Sequence, residues 1–240
     1  MSLAFFDVDG TLLPFPSLER RFFSRLARRG QIPVSNYLRW LKQAARLGPW
    51  NVSAISQANK AYLCGLPASA FLSAAEDIPE FFPAAVQRLW WHALRGDHVV
   101  LVTGTLAGLA LAVKCALERE LLWRGVEARL DVLATSLEKE KGNLTGRVVG
   151  RPMFGREKAS ATADFARTQG IPLAQCWAYG DHGLDRFLLS TVGNPFAVNP
   201  DATLRRTAEL YGWPVLHWNP CLPGTGRARN AFEWKGETAG

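Results

Sequence analysis

Apolar residues fall into short runs, nearly all unbroken, separated by stretches of helical spacing. Leu3-Ala4-Phe5-Phe6, Val99-Val100-Leu101-Val102, Leu130 to Ala134, Trp177-Ala178-Tyr179 and Pro195-Phe196-Ala197-Val198 are short and show little alternation. Each such run predicts a strand, the first buried and Val99 to Val102 buried on both faces of a parallel sheet. Leu18, Phe22 and Leu26 recur at i, i+4 and i+8, which predicts a helix capped by Ser17 and stopped at Gly30. Ser35 is read as the cap of a second helix through Leu47, with a third pattern from Val52 to Leu63 and a short fourth from Ala68 to Glu76. Further helices are predicted from Pro83 to Leu94, Leu106 to Leu122, Gly155 to near Gly170, Leu184 to Thr191, and Asp201 to Tyr211. Thr135 to Val149 reads as a hairpin turning at Lys141-Gly142-Asn143, and Gly212 to Trp218 as an extended return. The alternation of strands and helices predicts an α/β fold with a mainly parallel central sheet. A helical insert follows the first strand. Residues 1–13 and 81–218 form the expected core, 14–80 the insert, and 219–240 a loosely held tail.

Composition adds little to this picture, but charge does. The 240 residues are 48% hydrophobic and 20% charged, an ordinary globular mix, with a formal net charge of +7. Ser17 to Lys60 holds nine Lys or Arg against one acid, Glu19. Most simply this is a solvated face; more sharply, it is a field that draws anionic substrates. Adhesion to an acidic membrane surface is the weaker reading, and no nucleic acid is required. Cys64, Cys115, Cys176 and Cys221 are too scattered for a zinc site and suggest reduced thiols in a cytosol. There is no signal-like N-terminus, so a cytoplasmic location is expected.

The chemistry lies where strands end. The first strand stops in Asp7-Val8-Asp9-Gly10-Thr11, two acids one residue apart. Alternation puts Asp7 and Asp9 on one face if the extended geometry persists. Two such acids repel unless a cation or a shared proton relieves them, and Mg²⁺ takes carboxylates together with phosphate oxygens. The bland reading is an Asp-Gly turn. The second strand stops at Thr103-Gly104, where a hydroxyl and free N–H groups at a helix start can hold an anion. Lys158 lies in the first turn of its helix, where positive charge opposes the helix dipole. The Trp177 strand runs into Gly180-Asp181-His182-Gly183-Leu184-Asp185, with two acids four apart.

These four elements resemble the ordered motifs of the haloacid dehalogenase superfamily: DxDx[TV], a strand-ending Ser or Thr, a Lys, and GDxxxD. The helical insert, with Val192 to Asp201 and Gly212-Trp213-Pro214, resembles subfamily IB phosphatases related to phosphoserine phosphatase. The resemblance implies a Rossmann-like core with a C1-type helical cap. It also implies a Mg²⁺-dependent phosphomonoester hydrolase acting on a small phosphorylated substrate. Asp7 would be the nucleophile and Asp9 the general acid and base. Thr103 and Lys158 would serve catalysis and, with Gly10, Thr11 and Gly104, hold the phosphoryl oxygens. Mg²⁺ would be held by Asp7, the Asp9 carbonyl and Asp181, with Asp185 supporting. A phosphotransferase using the same intermediate is the alternative; a binding module for anionic surfaces or nucleic acid, with an idle core, is the third. The pattern departs from phosphoserine phosphatases in three places. Pro16 stands where they carry a Glu early in the cap, Leu184 replaces an Asn, and His182 is bulkier than usual.

Overall fold

A computed structural model describes residues 2–47, 57 and 59–220. The chain enters at β1 (Leu3–Phe6), then forms α1 (Leu18–Arg28) and α2 (Val34–Leu47). Two 3₁₀ segments, Ala61–Leu63 and Ala68–Asp77, lead to α3 (Pro83–Leu94), β2 (His98–Leu106) and α4 (Ala107–Trp123). β3 (Asp131–Thr135), the hairpin β4 (Leu137–Glu140) and β5 (Asn143–Val148), and α5 (Arg156–Thr168) follow. The chain closes with β6 (Trp177–Gly180), α6 (Arg186–Leu189), β7 (Asn194–Val198), α7 (Ala202–Tyr211) and β8 (Val215–Leu216). Six strands form one parallel sheet in the order β3-β2-β1-β6-β7-β8. β1 is central because every one of its residues is buried. Only a strand covered on both faces keeps four consecutive apolar side chains from water, each worth roughly 1.5–3 kcal/mol for the larger ones.

The helix ends follow their local chemistry. Ser17 accepts from the Arg20 N–H and caps α1, and Asp201 accepts from the Leu204 N–H at 2.7 Å and caps α7. Gly212, with φ 67°, ends α7 in the left-handed region. Three expectations are corrected. α2 starts at Val34, so Ser35 lies inside the helix rather than capping it. Ala68–Asp77 is a 3₁₀ segment. β2 runs on to Leu106, so the Thr103-Gly104-Thr105 stretch is strand and the helix begins only at Ala107. Two β-branched threonines around a single glycine hold extended backbone, and a register shift against β3 accommodates them. Most of the third helical pattern, Val52 to Leu63, lies outside the described residues; its end is the Ala61–Leu63 turn. Nearly all of the 219–240 tail lies outside them too. No helix among the described residues is long and apolar enough to cross a membrane.

The segment after β1 is tied to the core in two ways. Leu18, Phe22 and Leu26 join the same buried cluster as Phe6, Leu101 and Tyr179. Its 65–68 stretch also pairs with the β4–β5 hairpin, through Gly65 N–H to the Leu144 carbonyl and Leu144 N–H to the Leu66 carbonyl, both at 2.8 Å. Its basic residues are not all solvated. Arg25 pairs with Asp77 at 2.8 Å with both side chains under a tenth exposed, and the buried Lys60 pairs with Glu19, whereas the Arg29–Glu76 pair is half exposed.

Beneath the sheet, His92 is fully buried between Asp97, 2.9 Å from its Nδ1, and the Tyr179 hydroxyl, 3.0 Å from its Nε2. Burial pushes the His92 pKa down to about 4 despite the neighbouring carboxylate. The unfolded chain therefore takes up a proton near pH 6.5 that the folded chain refuses until about pH 4. The His92 contribution to stability should fall as pH drops through that window, by up to about 3 kcal/mol, while the raised carboxylates of Asp7 and Asp181 contribute with the opposite sign. The lowered pKa of Asp97 adds a loss of the same sign as that of His92 only at the acid end, as pH falls below the ordinary carboxylate value of 3.8. Urea midpoints measured from pH 7 to pH 4 should show the His92 loss as the difference between the parent and His92→Gln, which shares the other titrating groups. An unchanged slope in the variant would remove His92 as its cause.

Candidate active site

The C-terminal ends of β1, β2 and β6 and the start of α5 converge on a cleft of about 480 Å³, lined by Asp7, Asp9, Thr103, Gly104, Lys158 and Asp181, among others. The backbone of Asp7 continues β1, its N–H donating to the Tyr179 carbonyl at 2.9 Å. The chain then folds back, with the Leu12 and Leu13 N–H groups on the Val8 carbonyl. Gly10 has φ 83°, and a Cβ there would collide with the Asp181 carboxylate. Only glycine allows both the turn and that close approach. At Gly104 a Cβ would strike the Phe154 ring.

Lys158 is the hub. Its ammonium lies 2.8 Å from Asp7 Oδ1 and 2.7 Å from Asp185 Oδ1, almost entirely buried. Burial works against that charge, but the Asp185 and Asp7 carboxylates hold its pKa above the ordinary lysine value. The other Asp185 oxygen accepts from the His182 N–H. Asp9 is fixed at both oxygens: the Leu18 N–H donates to Oδ1 at 2.7 Å and the Thr105 hydroxyl to Oδ2 at 2.5 Å. Thr103 Oγ1 accepts from the Thr105 N–H and lines the cleft. His182 also lines it, with its Nδ1 accepting from the Leu184 N–H.

The acids outnumber their counter-ion. Asp7, Asp181 and Asp185 are buried and present oxygens within 4.8 Å of one another. Asp9 stands beside them, and Lys158 is the ammonium at their centre. Burial, then the charges of Asp7 and Asp185, push Asp181 up to about 10. Burial pushes Asp7 up to about 7, with Lys158 opposing and Asp185 and Asp9 reinforcing it. Burial also raises Asp9, against the hydrogen bonds from Thr105 and Leu18. Three crowded carboxylates without enough positive charge form a hard-oxygen donor set that suits a divalent cation.

Two residues serve differently from expectation. The Gly10 N–H is spent on the Leu13 carbonyl at 2.7 Å, so Gly10 shapes the loop instead of offering a donor to phosphate. The Thr11 hydroxyl is buried on Asp181 Oδ1 at 3.3 Å. Sequence reasoning missed Thr105, although the Thr-Gly-Thr spacing puts its hydroxyl beside that of Thr103. It also missed Phe15, Ser17 and Phe154 on the cleft wall, and left Glu19 without a place; Glu19 lines the cleft as well.

A family model described as haloacid dehalogenase-like hydrolase matches residues 4–190. The chain is 31% identical to the phosphoserine phosphatase SerB1 of Mycobacterium tuberculosis over 226 residues, covering 88% of this chain and 69% of that protein. It is 33% identical to phosphoserine phosphatase SerB2 of the same organism, over 86% of this chain and 46% of that one. Among solved structures, a protein of unknown function from Bordetella pertussis Tohama I superposes with a TM-score of 0.70 at 26% identity, covering 90% and 97% of the two chains. A phospho-aspartyl intermediate analogue of phosphoserine phosphatase superposes with a TM-score of 0.60 at 22% identity, over 90% and 92%, a likeness of fold.

Proposed function

The chain belongs to the haloacid dehalogenase-like hydrolase family and is a phosphatase of that family, and on this premise we propose that it hydrolyses small phosphomonoesters through a phosphorylated Asp7 with Mg²⁺ as its resident ion. The observation that carries the reading is Lys158 seated between Asp7 and Asp185, with Asp9 pinned beside them. Asp7 attacks phosphorus in line with the leaving alcohol; a P–O bond to Asp7 forms as the P–O bond to the alkoxide breaks. Asp9, whose raised pKa keeps a proton within reach, protonates that alkoxide. It then takes a proton from water as water attacks phosphorus, releasing inorganic phosphate and Asp7. Lys158 and the Thr103 hydroxyl hold phosphoryl oxygens, and Lys158 offsets the charge that gathers there. Residues 14–80 act as a cap that closes the cleft and excludes water. The Leu18 N–H on Asp9 joins that cap to the general acid.

Asp7, Asp181 and the Asp9 carbonyl would hold the Mg²⁺, with Asp185 supporting. When bound, the ion supplies charge neutralisation between nucleophile and phosphate. The buried acid set fits it. Phosphoserine itself is not required, because Pro16 stands where those enzymes carry their cap carboxylate. The scattered free thiols support a cytoplasmic setting.

Phosphate release from an aryl phosphate tests the reading: activity should require Mg²⁺ and vanish with a chelator. Metal binding should also expel a proton, because Asp181 holds one near neutral pH when no cation relieves it. Mg²⁺ affinity should therefore rise with pH between 6 and 8. Calorimetric titration at pH 8 in buffers of different ionisation enthalpy should show proton release near one per ion, rising toward pH 6 as Asp7 also holds a proton. Equal heats in all buffers would contradict the assigned donor set.

A further inference from the structure

A second cavity of about 320 Å³ lies in the cap beside the cleft. Phe23, Trp40 and Tyr62 line it together with Arg20 and Asn59, and Ser17 and Glu19 line both this cavity and the cleft. Resting on the phosphatase reading above, we infer that this cavity is the leaving-group subsite, and that the substrate is a phosphomonoester whose alcohol carries a planar aromatic or heteroaromatic ring.

The junction argues for continuity. Leu18 donates its N–H to Asp9, so the first turn of α1 sits at the group that protonates the leaving oxygen. Ser17 and Glu19 flank Leu18 in that turn. An alcohol leaving from Asp9 is thus released beside the residues that open into the second cavity. Glu19 is held rigidly there: Lys60 donates to its Oε1 at 2.5 Å and the Tyr62 hydroxyl to the same atom at 2.9 Å. Its charge is balanced by the buried Lys60, so the junction presents an oriented hydrogen-bond acceptor and not a lone carboxylate awaiting a cation.

The walls argue for a ring. Phe23 meets Tyr62 edge to face at 5.1 Å between centroids, a rigid pair whose faces and edges suit a third aromatic group. A dry cavity of roughly 150 Å³ holds benzene, so the volume here takes a one-ring or two-ring group. An acyclic alcohol of three or four atoms would leave most of it unfilled.

The test compares 3-phenylpropyl phosphate with propyl phosphate on the full chain with Mg²⁺. The kcat/KM ratio should favour the phenyl ester on the order of 30-fold in the parent protein, as burying a ring predicts. Trp40→Ala should cut that ratio by about fivefold or more, and Trp40→Phe should restore most of it. Using a ratio removes differences in the folded fraction of each variant. A parent ratio near one overturns the subsite, as does a ratio that Trp40→Ala leaves intact. Should the alanine variant fail to fold, the parent ratio and the phenylalanine variant decide. Failure to hydrolyse either ester would overturn the phosphatase reading itself, a different result from a flat ratio.

Discussion

Asp7→Asn is expected to lower phosphate release by about 10³-fold or more, with the fold intact. The amide keeps the size of the carboxylate and can still lie against Lys158, but it cannot form the acyl phosphate. It also removes one negative charge from a cluster that carries too many. Asp7 is buried, and its pKa is pushed up to about 7 by burial. Relief of that crowding should leave the melting temperature of the metal-free variant equal to the parent's or above it. Activity and stability therefore move in opposite directions, which a merely structural role for Asp7 would not produce. Steady-state phosphate release and thermal unfolding, measured on one preparation, check both halves. Parent-like turnover, or a loss that tracks unfolding, would remove Asp7 from the chemistry.

Lys158→Met is expected to lose both activity and stability. The ammonium is the link between Asp7 and Asp185, at 2.8 and 2.7 Å. Methionine fills a similar volume but leaves two buried carboxylates without their partner. Removing one member of a buried ion pair costs about 3–5 kcal/mol. Turnover should drop at least about 10²-fold, because the transferring phosphoryl group loses its nearest positive side chain. Asp185→Asn in the same background should recover part of the stability and none of the activity, since it removes one of the two stranded charges. Urea unfolding of both singles and the double gives the coupling directly. Additive losses would show that Lys158 and Asp185 do not act as a pair.

Much of this site is written in consecutive residues, and that portion was legible. Asp7 and Asp9 follow a fully apolar run, Thr103 ends another, and Asp181 follows a third. Parallel strands buried on both faces advertise themselves by unbroken hydrophobicity, and their C-terminal ends fall on one edge of the sheet. Caps at Ser17 and Asp201 are equally local, since each side chain bonds within its own first turn.

What stayed hidden depends on distance along the chain. Glu19 and Lys60 meet across 41 positions, and Asp9 and Thr105 across 96. No local pattern signals either contact. The spent N–H of Gly10 was also invisible, because it depends on how tightly the Val8 to Leu13 loop closes. β2 was read as ending at Thr103 because glycine and a hydroxyl look like a break. Pairing with β3 overrode that preference, a tertiary effect that propensity does not carry. The 3₁₀ winding of Ala68–Asp77 likewise answers to packing and not to composition.

The central claim is that a phosphoryl group passes through Asp7. Rapid acid quench during turnover of a ³²P-labelled phosphomonoester, followed by peptide mapping, tests it directly. Label on the N-terminal peptide, lost in Asp7→Asn and discharged by hydroxylamine, is the predicted result. Brisk turnover with no protein-bound label, under conditions where an acyl phosphate survives the quench, would contradict it.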